Sequence, residues 1–377
     1  ALWWQEKAES MGIVYASETE DVQISDKTQN MELLESMDFT DIDRMMEDLF
    51  PQERMEFADA VRQIMMGNTD VGRDAIKEML RERIFGAWEV NRKSILYLIL
   101  LAIASAVFIG FSDIFQTRQV SQISFYMIYL LLFTILMNSY QSLGISMGKQ
   151  LDWLTQFMKG LAPAYFVAVS AASGALTATV FYQGVLLLVW LVEWLLLTLI
   201  LPGANLYVLL CLVNHLSKED MLSKMAELLE TLISWSLKTM LGAVLGLQAV
   251  RGLVAPAMDA IKRTAIGKTA GAIPAVGNAV NVVTELILTG ALLVKNCLGA
   301  VAVVALLLAG AGPVIHYGVL SLSYRFLAAA AQPVSDKRIV GCLGTMGEGC
   351  AMLLRIMITA EAMCILTFVI LMASVGG

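Results

Sequence analysis

The residues whose chemistry stands out in this sequence are ionisable side chains inside long apolar stretches. Glu193 is the only charged residue between positions 160 and 217, a stretch of 58 residues. Because an ionised carboxylate is costly in hydrocarbon, Glu193 must face a polar partner, a lumen or water, or be protonated. The pattern leaves open whether Glu193 serves transport or a structural polar contact. Four softer candidates lie nearer the ends of their apolar stretches, where a structural or interfacial role is favoured: Lys238, Glu285, Arg355 and Glu361.

The sequence contains no complete motif for phosphate, metal or nucleic-acid binding. The triplet Gly267-Lys268-Thr269 resembles the end of a phosphate-binding loop, but Lys262 occupies the position where that loop requires its first glycine. His215 and His316 are about a hundred residues apart and have no acidic or cysteine cluster beside them. The five cysteines include no C-x-x-C pair, and no basic cluster with interleaved aromatic residues suggests nucleic-acid binding. We therefore expect no enzyme activity, no cofactor and no metal site.

The composition excludes an ordinary soluble protein. Apolar residues make up 58% of the 377 residues and charged residues 16%, whereas soluble domains average about 45–50% and about 25%. The chain also contains 28 glycines and 22 methionines. A disordered protein, a collagen and a disulfide scaffold are excluded with it, and a polytopic membrane protein remains.

The charge distribution separates an acidic N-terminal region from a membrane region. Residues 1–93 contain 11 basic and 21 acidic residues, a net charge of −10. Since about 20 apolar residues cross a bilayer, the apolar stretches that follow predict an all-α protein with about eight passes. These passes are residues 94–112, 119–148, two within 160–217, 228–250, 270–294, 296–324 and 362–377.

The N-terminal region predicts a small helical domain. Thr40 is a suitable hydroxyl cap for a helix with acidic residues in its first turn, and two further amphipathic helices follow as far as residue 90. The predicted organisation is a flexible segment (residues 1–35), a helical extracytoplasmic domain (residues 36–92) and a transmembrane domain (residues 93–377). A short amphipathic stretch, residues 151–161, is expected on the membrane surface or as an elbow helix.

The basic loops predict an orientation. Arg251, Lys262, Arg263 and Lys268 lie in one loop, and Lys337 and Arg338 lie in another. Two predicted passes separate these loops, which places both on one side, and Lys and Arg concentrate in cytoplasmic loops. The N-terminal domain is then expected outside the cytoplasm.

Proline and glycine residues predict places where helices break or pack closely. The two segments around Pro274 and Gly312-Pro313 share the pattern A-G-A-x-P-x-[VI], which is typical of interrupted membrane helices that build a central site, although small residues also match by chance. Further predicted breaks lie at Pro163, Pro202 and Pro256. The pairs Gly242-x-x-x-Gly246 and Gly267-x-x-x-Gly271 permit close helix approach. The dense run GCLGTMGEG, residues 341–349, predicts either a helix contact or a flexible turn.

Several segments of the sequence resemble one protein family. They are FADAVRQIMMG, GAWEVNRKSILYLILLAIASAVF, LKTMLGAVLGLQAVRGLVAPAMDAIKRTAIGKTAGAIPAVGNAV, GPVIHYGVLSLSYR and GEGCAMLLRIMITAEAMCIL. Together they resemble stage III sporulation protein AE, a multi-pass membrane protein of endospore-forming bacteria. The resemblance covers most of residues 40–377 and carries no catalytic motif.

The resemblance implies a role in spore formation. It implies a subunit of an assembly between mother cell and forespore, with the chain in the outer forespore membrane and its N-terminal domain in the intermembrane space. The implied partners are the other stage III sporulation A proteins and, through them, stage II sporulation protein Q, in a homo- or hetero-oligomer. Three functions stay open at this point: a channel or secretion-like subunit, a non-conducting scaffold that anchors partners, and an ion-coupled secondary transporter.

Overall fold

The structure is a computed structural model that describes residues 31–49, 56–66, 118–173, 175–216, 221–270, 277–333 and 335–373, together with single positions 81, 96 and 103. Every regular element within these residues is a helix. The helices are α1 (Thr40–Leu49), α2 (Phe57–Met65), α3 (Arg118–Ser173), α4 (Ala175–Leu195), α5 (Leu201–Leu216), α6 (Ser223–Ala270), α7 (Gly277–Ala331) and α8 (Lys337–Ala373). A π-helical turn, Leu196–Ile200, joins α4 to α5.

Five described segments are long and apolar enough to cross a membrane, which confirms the prediction of an all-α polytopic protein. They are Tyr129–Ala172, Tyr182–Leu216, Ser223–Gly246, Thr289–Ala331 and Lys337–Ala373. The predicted pass over residues 94–112 lies outside the described residues. From residue 277 onwards, the predicted passes over residues 270–294 and 296–324 both fall on the single helix α7.

The helices continue through the four described prolines at which the sequence predicts breaks. Pro163 lies inside α3 and Pro313 lies inside α7, while the backbone of α6 stays helical through position 256. Pro202 follows the π-helical turn, where the Leu201 N–H donates to the Leu196 carbonyl five residues back. Because a proline has no N–H to donate, a widened turn beside it redistributes the affected carbonyls without ending the helix.

Helix α8 lies at the centre of the bundle and packs antiparallel to α7. Ser321 of α7 donates a hydrogen bond of 2.8 Å to the Gly347 carbonyl, and Lys295 of α7 contacts Met372 at the other end of α8. We call the end of the bundle with the α7–α8 turn the near end, and the end where α8 stops at Ala373 the far end.

The glycine run at residues 341–349 is helical and forms the close contacts of α8. A Cβ atom at Gly341 would overlap His215 of α5, and one at Gly347 would lie 2.7 Å from Arg325 of α7. At Gly349 it would lie 2.6 Å from Val208 of α5 and 2.7 Å from Tyr140 of α3. The run is therefore a packing surface rather than a flexible turn.

The N-terminal helices pack on α3 towards the far end. Phe57 of α2 and Phe157 of α3 are buried with ring centroids 6.4 Å apart, and Ile42 of α1 lies against Gly160. The predicted surface helix at residues 151–161 is thus part of α3, and its apolar stripe is covered by protein. The carboxylate of Asp38 caps α1 by accepting hydrogen bonds from the Thr40 hydroxyl at 2.6 Å and the Thr40 N–H at 3.0 Å, and these bonds lower the pKa of Asp38.

The two basic loops flank a single helix. Only one helix, α7, lies between residue 268 and Lys337, because the charged residue that suggested a loop between two passes, Lys295, is inside that helix. The segment 251–268 continues α6 beyond its apolar part. The two basic segments therefore lie at opposite ends of α7, and a single crossing by α7 would place them on opposite sides of the membrane, against the predicted shared side.

We predict that cysteines at Thr264 and Gln332 react with a membrane-impermeant thiol reagent from opposite sides of the membrane. The measurement uses a variant without the five native cysteines, in sealed vesicles of both orientations. A third cysteine, at Ser36, should react together with Thr264, because the N-terminal helices pack towards the far end. Labelling of Thr264 and Gln332 from the same side would restore the two-pass interpretation.

Candidate functional site: ionisable residues in the helix bundle

Glu193 forms an ion pair with a lysine from the neighbouring helix. Lys159 Nζ of α3 donates to Glu193 Oε2 of α4 at 2.5 Å, and the two side chains are 42% and 21% exposed. The helices α3 and α4 form an antiparallel hairpin, which brings together residues that are 34 positions apart. The pair neutralises the carboxylate that the sequence leaves isolated, so the required polar partner exists within one chain.

Glu361 is buried between α7 and α8. Its side chain is 8% exposed, and its carboxyl group occupies the space where a Cβ atom of Gly310 would stand. Any larger residue at position 310 would displace the carboxyl group, so the glycine creates its seat. Gly312 and Pro313, which the sequence predicts as a hinge, lie within the next turn of the same continuous helix.

Lys295 is a buried cation that was not among the candidates predicted from the sequence. Its side chain is fully buried, and Nζ donates a hydrogen bond of 2.9 Å to the Met372 carbonyl. Helix α8 ends at Ala373, and the last carbonyls of a helix have no partner within it. Lys295 therefore caps α8, where a cation also favours the negative end of the helix dipole. In the sequence, Lys295 could have been noticed as the single charged residue between two apolar stretches.

A group of ionisable residues lies along the outer junction of α5, α6 and α8. Arg355 Nη1 of α8 is 3.8 Å from Glu230 Oε1 of α6, with side chains 54% and 43% exposed. The hydroxyl of Tyr207 on α5 donates to Glu348 Oε2 of α8 at 3.3 Å. Lys238 of α6 is exposed. Arg355 lies at the midpoint of α8, and sequence reasoning did not single out Glu230 or Glu348.

The remaining predicted residues fall into two groups. Gly242 and Gly246 have nothing within 4 Å of a built Cβ atom, so they make no close approach among the described residues of one chain. Their role in packing against another subunit stays a prediction. Glu285 lies on α7 and Gly267 on α6, with only their backbone described, while Gly271 and Pro274 lie outside the described residues.

Buried tyrosines connect the helices that hold these groups. Tyr129 of α3 donates to the Leu212 carbonyl of α5 at 2.6 Å, and Tyr140 of α3 donates to the Gly349 carbonyl of α8 at 3.3 Å. Tyr317 of α7 donates to the Leu143 carbonyl of α3 at 3.2 Å. Buried hydroxyls need such partners, and these bonds fix the register of α3, α5, α7 and α8. Among the described residues, no group of three or more His, Cys, Asp or Glu side chains is placed to hold a metal ion.

The fold and these residues define a polytopic α-helical membrane protein whose bundle holds several ionisable side chains. A family model described as Stage III sporulation protein AE matches residues 55–375, and the chain belongs to that family. A relative with the same description, from Bacillus subtilis (strain 168), is 26% identical over 259 residues. That match covers 68% of this chain and 65% of the relative, so it spans just under two thirds of the relative's length. No solved structure matches the chain.

We predict that two glycines of the same run respond to alanine with opposite signs. Gly349→Ala should lower the thermal midpoint of the purified protein, because its methyl group would press on Val208 and Tyr140, and overpacking costs about 1–3 kcal/mol. Gly344→Ala should raise the midpoint slightly, because no atom lies within 4 Å and alanine is favoured over glycine in a helix by up to about 1 kcal/mol. Equal shifts in the two variants would contradict this packing of α8.

Proposed function

We propose that the chain is a membrane subunit of a channel or secretion-like assembly that connects mother cell and forespore during sporulation. The observation that carries the proposal is the combination of family membership with the ionisable side chains that α6 and α8 hold within membrane-crossing segments. A protein that only anchors partners has no need of charges at these depths, since each one costs free energy in hydrocarbon.

The proposal includes a location and partners. The chain would lie in the outer forespore membrane, with its N-terminal helices in the intermembrane space. Those helices carry a charged surface that includes Arg44 and Asp41, both mostly exposed, beside an apolar face that packs on α3. They would contact the other stage III sporulation A proteins and, through them, stage II sporulation protein Q. The proposal assigns no catalytic role to the chain.

A non-conducting scaffold is the second candidate, and the Lys159–Glu193 ion pair favours it. An ion pair that is complete within one chain can stabilise the α3–α4 hairpin without any transported species. Such partly exposed pairs contribute about 0–1 kcal/mol, so the pair alone has a modest effect on stability. The two candidates therefore differ in what happens when the charges are changed and the fold is kept.

We predict that Glu193→Gln lowers heat-resistant spore counts at least tenfold at normal protein abundance. Glutamine keeps the volume and the hydrogen-bonding capacity of the side chain but removes the charge. The matched control is the exchange Lys159→Glu with Glu193→Lys, which retains an ion pair but moves the carboxylate to α3. Under the proposed function the spore counts of the exchange variant stay as low as those of Glu193→Gln, because the carboxylate is needed at position 193.

The measurement combines spore counts with immunoblots of the chain in the sporulating host. Normal counts for Glu193→Gln at normal abundance would reject a transport role for this residue. Recovery of the counts by the charge exchange would assign the pair to stabilising the hairpin. Either result would place the scaffold ahead of the channel.

A further inference from the structure

One outer face of the bundle differs in chemistry from the others. The face formed by α6 and α8, with α5 between them, carries exposed or half-exposed ionisable side chains, which are Glu227, Glu230, Lys238, Glu348 and Arg355. We call this face the polar groove. The exposed side chains of α3 and α7 include large apolar ones, with separate charges at Lys149, Lys159 and Arg325. Exposed apolar side chains also occur on α6 and α8, among them Leu228, Trp235 and Ile358, so the groove differs in its cluster of charges.

The polar groove lies well inside the membrane-crossing segments. Arg355 is 18 residues from each end of α8, which is about 27 Å at a rise of about 1.5 Å per residue. Glu230 is seven residues from one end of the 24-residue segment Ser223–Gly246, and Lys238 is eight residues from its other end. Any run of about 20 residues within α8 includes Arg355, and any such run within Ser223–Gly246 includes Glu230 and Lys238. These side chains therefore lie in the part of each helix that crosses the membrane.

The contacts within the polar groove do not remove its side chains from solvent. The Arg355–Glu230 distance is 3.8 Å, and both side chains are about half exposed. Glu348 accepts a hydrogen bond from Tyr207 yet remains exposed. These charges would be costly against lipid, and they would also be costly against a protein surface unless every charge met a partner. Water solvates both signs at once and fits a face with three carboxylates and two cations.

We propose that the polar groove lines a water-filled path between this chain and neighbouring copies in the assembled complex. The groove would form one wall of the path, while the apolar faces of α3 and α7 would contact lipid. This proposal rests on the proposed function in one respect, namely that the water-filled path crosses the membrane. Water in the groove itself is a separate property that can be measured without sporulation.

Thiol labelling tests the proposal. In the full chain without its native cysteines, single cysteines replace Lys238, Glu348 or Thr231, which is exposed beside Glu230 and lies two turns before Lys238 on α6. Membranes of the expressing cells then receive a charged methanethiosulfonate. The cysteine thiolate attacks the reagent's sulfenyl sulfur, a mixed disulfide forms and methanesulfinate leaves. Since only a thiolate reacts and thiols ionise in water, the rate reports water at each position.

Two positions at matched depth serve as controls on the apolar faces. Leu322 is 71% exposed and lies at the depth of Glu348, since its neighbour Ser321 bonds the Gly347 carbonyl. Ile145 is 65% exposed and follows Gly144, which lies against Asn205, two residues from the Tyr207 that bonds Glu348. We expect the three groove cysteines to react at least tenfold faster than cysteines at Leu322 and Ile145.

Two results would overturn the proposal. Equal slow rates in the groove and at the controls would show that the groove is dry in the membrane. Fast groove labelling only after detergent has separated the subunits would show that another protein surface covers the groove. Normal spore counts for Glu193→Gln would weaken the proposed function but leave a fast groove rate unchanged, so the two failures can be told apart.

Discussion

The structure depends on the close packing of α8 against its neighbours through glycines. Lipid tails are as apolar as the helix surfaces, so the hydrophobic effect does not drive helices together within a bilayer. Their association depends on van der Waals contact and on hydrogen bonds across the interface. Gly310 and Gly299 of α7 leave room for Glu361 and Met372 of α8, while Gly349 of α8 receives side chains of α3 and α5. Because van der Waals attraction falls off steeply when a helix is displaced, the position of α8 sets the positions of the ionisable groups at its interfaces with α5, α6 and α7.

The hydrogen bonds of the buried tyrosines follow from this packing. Helices that approach through glycine bring their backbone within reach of a neighbour's hydroxyl, as Gly349 does for Tyr140 and Gly347 does for Ser321. Each hydrogen bond depends on its angle, whereas the van der Waals contacts around it are non-directional. The combination holds α3, α5 and α7 in one register around α8, and charges on different helices then meet at fixed depths.

The class of fold could be predicted from the sequence because charge-free stretches of about 20 residues or more are typical of membrane-crossing helices. Residues 119–148 and 296–324 do lie within such helices. The prediction failed at Lys295, because a charge between two apolar stretches was interpreted as a loop, whereas a helix end nearby can hold the cation inside the bundle. Gly242 and Gly349 both lie in glycine-containing apolar stretches, yet of these two only Gly349 packs closely against neighbouring helices. Residue spacing identifies the residues on one helix face but not the helix that packs against it. For the same reason, Lys159 could not be identified as the partner of Glu193, which is 34 positions away.

The charges of the bundle occupy three environments, and these differ in what they imply. Lys295 and Glu361 are enclosed by α7 and α8, where they affect the stability and register of that helix pair. Glu193 is paired within the α3–α4 hairpin. The polar groove is neither enclosed nor fully paired, so its solvation must come from outside the chain. A protein selected only for stability in a bilayer would replace such residues with apolar ones, since that exchange is neutral or favourable. Their position on one face of the crossing segments is therefore explained by what the chain faces rather than by how it folds.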